Sequence, residues 1–479
     1  MMRLGDIMAS AAGTDLSTLE VTGVTADSRK VLPGMVFAAL PGSHADGGSF
    51  IGDAVARGAA AILTSLGTVW PPDVAHRPMI TAAEPRQVLA QAAATLAGPQ
   101  PAIQAAVTGT NGKTSTVDFL RQIWAACGHQ AASLGTLGLH APGFATGSGL
   151  TTPDPVDLAG TLAALAHAGI GRAAMEASSH GLAQFRLDGV RLTAAAISNV
   201  TRDHLDYHRT EGAYRAAKLR LFSEVLPPGA IAVANADMDP VTFSALYEIA
   251  KDRRLDFCTV GEAGKTIRLL CATPMPNGQS LSLSLNGRLH DVEIQLPGRF
   301  QADNVLLALG LAMALGEDHA IDVVSGLAGV RGRMELAVRL ANGAAVYVDY
   351  AHTPDALERL LLALRPHARR LHVVFGAGGD RDHGKRAIMG AIAARLADRA
   401  IVTDDNPRTE DPAAIRAAIL AACPDAIEIG DRAKAIAAGL GDLGPGDVLV
   451  IAGKGHEPGQ TIGIVTMPFD DVDTVRRLA

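Results

Sequence analysis

Aromatic residues are scarce in this chain, 4% of 479. Its cores must therefore be built mainly from Ala, Val, Leu and Ile, a composition that suits buried strands under amphipathic helices. Cysteine is scarcer still. Cys127, Cys258, Cys271 and Cys423 lie far apart and form no CxxC pair, which excludes a disulfide framework or thiolate zinc site and fits free thiols in a reducing compartment. No apolar run approaches the roughly 20 residues of a membrane span; the longest, residues 305–316, reads as a buried helix. The opening residues reach Gly5 and Asp6 before an apolar stretch can build, which makes a poor signal peptide. Positive charge is not in excess either. A net charge of −7 gives no global basic field for nucleic acid or an acidic membrane, although a few local Arg and Lys residues suffice for a small anion. A cytoplasmic protein with no nucleic-acid partner and no membrane span is expected.

What is present is an ordinary soluble composition, 48% hydrophobic and 19% charged, in a chain long enough for about three domains. The 51 glycines exceed the roughly 7% average usage and fit strands that end in tight, ligand-facing loops. Two prolines in Gly98-Pro99-Gln100-Pro101 deny helix and suggest a linker. Beyond it, strand-like runs at 102–107, 344–348, 371–375, 400–403 and 448–451 alternate with helix-patterned segments such as 355–364 and 386–396. Such alternation predicts an α/β protein with parallel sheets. The divisions drawn are 1–99, 100–333 and 334–479. In open parallel sheets ligands bind beyond the carboxyl ends of strands, so the loops after strands are the places to search.

The strongest local signal is Thr108-Gly109-Thr110-Asn111-Gly112-Lys113-Thr114, between an apolar strand and a helix-patterned run. Glycines let backbone N–H groups converge on phosphate oxygens at a helix N-terminus. Lys113 would reach the outer phosphates of a nucleotide, and the Thr114 hydroxyl would ligate magnesium. The strict GxxxxGK[ST] pattern needs glycine at 107, where valine stands.

The variant TGTNGKT resembles the loop of the Mur ligases and of the folylpolyglutamate synthetases. Other landmarks of the Mur ligase family follow in order: Glu176-Ala177-Ser178-Ser179-His180-Gly181, Asn199-Val200-Thr201-Arg202-Asp203-His204, Lys218, Gly298-Arg299-Phe300 leading to Asn304, Arg331-Gly332-Arg333, and Asp349-Tyr350-Ala351-His352. The resemblance covers essentially the whole chain. It implies three domains: an amino-terminal domain for a UDP-linked substrate, a central P-loop ATPase domain, and a carboxy-terminal Rossmann-like domain for an amino acid. ATP would be bound by Thr108, Gly109, Thr110, Asn111, Gly112, Lys113, Thr114, Asn304, Arg333 and Asp349. Magnesium would be held by Thr114, Glu176, His204 and Lys218, the last as an N-carboxylated lysine. On pattern alone Lys218 is a solvated helix lysine and His204 a packed or capping histidine. Carboxylation needs a neutral amine, so burial or nearby positive charge must depress the lysine pKa.

By the same resemblance Ala26, Ser28, Ser43, His44 and Ala45 face uridine diphosphate, with Thr151, Thr152, Ser178, Gln184 and Arg186 continuing the contact to a UDP-N-acetylmuramoyl dipeptide. Asp404-Asp405-Asn406-Pro407-Arg408 resembles the signature of the diaminopimelate-adding members. Arg381, Asp405, Asn406, Pro407, Arg408, Gly453 and Glu457 would then bind meso-diaminopimelate, whose second zwitterionic centre needs a cation for its carboxylate and an anion for its amine. Lysine-adding relatives lack that arginine. The implied activity is ATP-dependent amide-bond formation through an acyl phosphate, by a monomer. A lysine-adding enzyme, a folylpolyglutamate synthetase and a P-loop nucleotide switch are the competing readings.

Overall fold

The computed structural model describes residues 1–8, 16–42, 46–145, 150–275 and 278–479. Three main sheets follow one another along the chain. The first is parallel and four-stranded, with Gly23–Thr25, Met35–Ala39, Ala61–Ser65 and Met79–Ala82 in sequence order. The helix Pro85–Ala97 follows it, with Leu89, Ala90, Ala92 and Ala93 buried.

The central sheet has ten strands. Its middle is parallel, and the strand Ile103–Thr108 lies between Arg172–Glu176 and Ala194–Ile197. These short runs of Ala, Val and Ile are buried along nearly their whole length, as expected of strands covered on both faces. The helices Lys113–Ala126 and Arg299–Ala314 pack on one face. The first buries Phe119, Leu120, Ile123 and Trp124, and the second takes residues 305–312 of the apolar run at 305–316 into the core. One feature lay outside the sequence reading. Ile267–Met275 joins the sheet parallel to Asp256–Gly261, and Gly278–Leu285 and Arg288–Ile294 extend it as antiparallel strands. Alternating Leu281, Leu283 and Leu285 are buried while the serines between them are less so, a period of two that is the pattern of a half-buried strand.

The third sheet has six strands in the order Glu335–Arg339, Ala345–Asp349, Val448–Ala452, Leu371–Phe375, Arg399–Val402 and Ile427–Glu428. All its pairings are parallel except the first. The helices Pro354–Leu364 and Lys385–Leu396 cover one face, and Arg432–Gly441 and Asp471–Leu478 the other. A hairpin, Gly459–Ile462 with Val465–Pro468, stands beside the strand ends. Among the described residues no helix is long and apolar enough to cross a membrane.

The functional consequence lies in strand order. The chain leaves Ile103–Thr108 towards Ala131–Gly135, returns with Arg172–Glu176 on one side, and then crosses to Ala194–Ile197 on the other. The order therefore reverses at Ile103–Thr108, and a crevice opens beyond its carboxyl end. The register aligns Val107 with Glu176 and Thr108 with Ile197. Whatever sits on the phosphate loop is flanked by Glu176 on one side and by the loop after Ile197 on the other.

Candidate active site

A cavity of about 500 Å3 occupies that crevice. Its lining includes Thr110 through Thr114, Asn304, Arg333 and Asp349, so eight of the ten residues expected to bind ATP share one space. Thr108 is buried at the strand end, and Gly109 carries the turn. Gly112 adopts φ +88°, and a Cβ there would stand 2.3 Å from Asn304 Oδ1, so the loop needs glycine both for its backbone and for this close approach. Distant segments of the same chain fix the loop from outside. Asn111 N donates to Asn199 Oδ1 at 3.1 Å, and the Thr110 hydroxyl meets Tyr214 Oη at 3.0 Å. Asn111 Nδ2 reaches the third sheet's domain, donating to Asp355 Oδ2 at 3.2 Å.

The charged groups gather around this loop. Lys113 Nζ donates to Gly109 O and Thr110 O; burial pulls its pKa down, while Glu176 and Asp203 oppose that shift. Glu176 is 2% exposed and accepts from the Thr136 backbone N–H at 2.7 Å. Arg333 stacks over the Tyr350 ring at 4.5 Å and points Nη2 at the Thr114 hydroxyl, 3.5 Å away. Asp349 spends its carboxylate on the backbone N–H groups of Met334 and Ala351, and burial raises its pKa.

Lys218 overturns its pattern-based reading. It is 1% exposed, its ammonium lies 4.5 Å from the Tyr214 ring centre, and it donates to Gly109 O at 2.8 Å. Burial, followed by the charge of Lys113, holds its pKa well below the ordinary lysine value. His204 lines the same cavity in the left-handed conformation, φ +51°. Its ring meets His180 edge-on at 4.8 Å. Burial first, then His204 and His208, lower the His180 pKa to about 4.

Thr151 and Ser178 line the cavity as well. Thr151 shares a hydroxyl contact with Thr136 at 3.0 Å, and the Thr152 hydroxyl donates to Ser178 Oγ at 3.0 Å. Arg186 ties Thr152 O to Gln184 Oε1. The five residues expected to continue the substrate contact thus form one connected strip. Ala26 and Ser28 belong to the first sheet's domain and do not line this cavity. Ser43, His44 and Ala45 lie outside the described residues.

The residues expected to choose the amino acid form a second cluster. Asn406 Nδ2 donates to Glu457 Oε2 at 2.8 Å, and Arg408 Nη1 donates to Gly379 O at 2.7 Å. Asp405, Asn406 and Pro407 are buried, Arg408 is half-buried and Arg381 is exposed. A Cβ on Gly453 would stand 2.3 Å from Asp405 Oδ2, so this glycine too is a close approach. Tyr350 joins the two sites: it lines the nucleotide cavity and stacks on His456 at 5.1 Å. Sequence reasoning did not single out Thr136, Tyr214, Asp355 or Lys454. Their roles come from contacts between residues distant in the chain, for which no local pattern exists.

Comparison with known proteins decides the family. Residues 107–312 match the Mur ligase middle domain, 332–455 the Mur ligase glutamate ligase domain, and 20–97 the family's catalytic domain. The chain belongs to the Mur ligase family. It is an ATP-dependent ligase that forms amide bonds. This Mur ligase is 52% identical over 98% of its length to the UDP-N-acetylmuramoyl-L-alanyl-D-glutamate–2,6-diaminopimelate ligase of Caulobacter vibrioides, covering 97% of that protein. It is 50% identical over 97% of its length to the protein of the same name from Rhizobium meliloti, covering 95% of it. A solved structure of a ligase so named superposes with a TM-score of 0.72 at 33% identity, covering all of this chain and 98% of that one. The folylpolyglutamate synthase of Mycobacterium tuberculosis superposes at a TM-score of 0.64 and 19% identity, over 82% of this chain and 94% of that one. That likeness is one of fold alone.

Proposed function

We propose that this Mur ligase joins meso-diaminopimelate to UDP-N-acetylmuramoyl-L-alanyl-D-glutamate, with ATP cleaved to ADP and phosphate, in the cytoplasm. One observation carries the reading of the amino acid. A cation, Arg408, and an anion, Glu457, are gathered about the segment 405–408: Arg408 belongs to it, and Glu457 comes from a different loop and is held to it by Asn406, two residues from Arg408. Such a pair matches a distal carboxylate and ammonium on the same carbon; lysine would leave the arginine without its counter-charge.

The chemistry starts at the phosphate loop. Its backbone amides and Lys113 bind the triphosphate, and the glutamyl carboxylate of the substrate attacks the γ-phosphorus. The bond to the ADP oxygen breaks, giving an acyl phosphate. The neutral amine then adds to the acyl carbon, the amide forms, phosphate leaves and the nitrogen loses its proton. Lys113 and Arg333 are the fixed cations beside the charge that builds on the phosphoryl oxygens. No protein nucleophile is needed; positioning carries much of the rate.

The donors also fit magnesium. Glu176 is a buried carboxylate and Thr114 a nearly buried hydroxyl on the same cavity, and both are hard oxygens. Magnesium commonly keeps several waters and is held by one or two protein oxygens together with substrate phosphates. Thr114, Glu176, a carboxylated Lys218 and His204 would hold it, and it would supply charge neutralisation for the phosphates. The test is phosphate release with the UDP-linked dipeptide present and the amino acid varied. Release dependent on meso-diaminopimelate supports the assignment; release indifferent to the amino acid rejects it.

A further inference from the structure

Lys454 has no part in the reaction as written above, yet it is one of the most deeply buried side chains of the third sheet's domain, at 0% exposure. A buried ammonium must be matched by charge and hydrogen bonds. Here the match comes from the amino-acid cluster itself. Lys454 Nζ donates to Asn406 Oδ1 at 2.9 Å and to Glu457 Oε2 at 3.2 Å. Asn406 closes the triangle through its amide, which donates from Nδ2 to the same Glu457 Oε2 at 2.8 Å. The second acceptor position of Asn406 Oδ1 is taken by the Thr461 backbone N–H, at 2.9 Å.

The arrangement has two consequences. Lys454 and the Thr461 amide both donate to Asn406 Oδ1, so the orientation of the Asn406 amide is fixed and its NH2 group can only face Glu457. Glu457 Oε2 is then committed to two donors. Its Oε1 has no protein donor among the described residues, on a side chain 32% exposed. One carboxylate oxygen is anchored from below and the other is left available for a ligand.

We infer that Lys454 is a positioning residue of the amino-acid site: it orients Asn406 and Glu457 so that a single glutamate oxygen meets the ammonium of the incoming amino acid. This rests on the assignment of that cluster to diaminopimelate. Lys454 is not a catalytic residue, and its removal acts through Glu457.

The experiment is a double-mutant cycle in steady-state kinetics on the full chain, using Lys454→Met, Glu457→Gln and the pair, with each of the three substrates varied. Lys454→Met is expected to raise the KM for meso-diaminopimelate on the order of tenfold or more, leaving the KM values for ATP and the UDP-linked dipeptide within about twofold. The double variant is expected to match Glu457→Gln alone, because the carboxylate whose placement the lysine serves is already gone. An unchanged KM for diaminopimelate in Lys454→Met overturns the inference, as do effects that multiply in the pair. If Lys454→Met does not fold, the double variant, in which no carboxylate is stranded, is compared with Glu457→Gln: equal KM values support the inference. Loss of folded protein in both Lys454 variants assigns the residue to stability alone and overturns it. Wild-type protein is assayed alongside. If it shows no dependence on diaminopimelate, the assignment of the cluster fails, a result distinct from an active wild type with an indifferent Lys454→Met.

Discussion

Lys113 and Lys218, 105 positions apart in the sequence, both donate to the carbonyl oxygen of Gly109, each at 2.8 Å. Two ammonium groups on one acceptor cannot both be comfortable in a buried site. The more buried partner, Lys218, yields: burial and then Lys113 depress its pKa. A neutral amine at that position can take up carbon dioxide, forming an N–C bond and releasing a proton, and the repulsive cation becomes an anion beside the phosphate loop.

Lys218→Ala is therefore expected to lower kcat by at least about 10^2-fold, the scale of losing one electrostatic contact to the transition state. Formate or acetate in the assay should restore part of it by filling the space with a carboxylate. A variant as fast as wild type excludes the carboxylated lysine.

Arg408 donates to Gly379 O while only half-buried, which leaves other guanidinium N–H groups for a ligand. Arg408→Ala should raise the KM for meso-diaminopimelate by about 10- to 100-fold, the worth of a charge-assisted pair, and change the use of lysine far less. Competition kinetics with the two amino acids measure this. Equal losses for both would remove Arg408 from specificity.

Much of this site was legible in the sequence, and the reason is local. Gly109, Gly112 and Lys113 form a phosphate loop through backbone geometry that neighbouring residues dictate, and the strand and helix on either side carry clear apolar patterns. Glu176 ends a strand and Asn199 follows one, so their place in the crevice follows from strand order. Lys218 and Lys454 were not legible from pattern. Their burial is created by Gly109 and Tyr214 in one case and by Asn406 and Glu457 in the other, partners that only the folded chain brings near. The strand Gly278–Leu285 carried a readable alternation of Ser and Leu, but a strand pattern does not announce which sheet it will join.

His456 offers a pH test. Burial, then Arg333 and Arg331, lower its pKa to about 4, against about 6.5 in an unfolded chain. Between those values the unfolded state binds a proton that the folded state refuses, so the contribution is full above pH 6.5 and is lost as pH falls towards 4. His456→Asn should reduce the loss of stability between pH 7 and 5 by an amount on the order of 1 kcal/mol, discounted for solvent screening, read as a shallower fall of Tm over that range. Parallel Tm curves for the two proteins would contradict this.

Arg432 and Asp471 form a fully buried pair, joined at 2.7 and 2.8 Å, and Arg432 also donates to Ala452 O at the end of the strand before Gly453. Removing one member strands the other charge. Arg432→Met should destabilise the protein by roughly 3–5 kcal/mol, read from the denaturant midpoint of the transition that reports the third sheet. A midpoint within error of wild type would refute it.

The most direct test of the whole account is mass-spectrometric analysis of the UDP-linked product after incubation with ATP, magnesium, UDP-N-acetylmuramoyl-L-alanyl-D-glutamate and meso-diaminopimelate. The account predicts the dipeptide precursor extended by one diaminopimelate, with phosphate released in equal amount and neither formed when ATP or the amino acid is withheld. ATP hydrolysed without an extended product, or extension by lysine in preference to diaminopimelate, would contradict it.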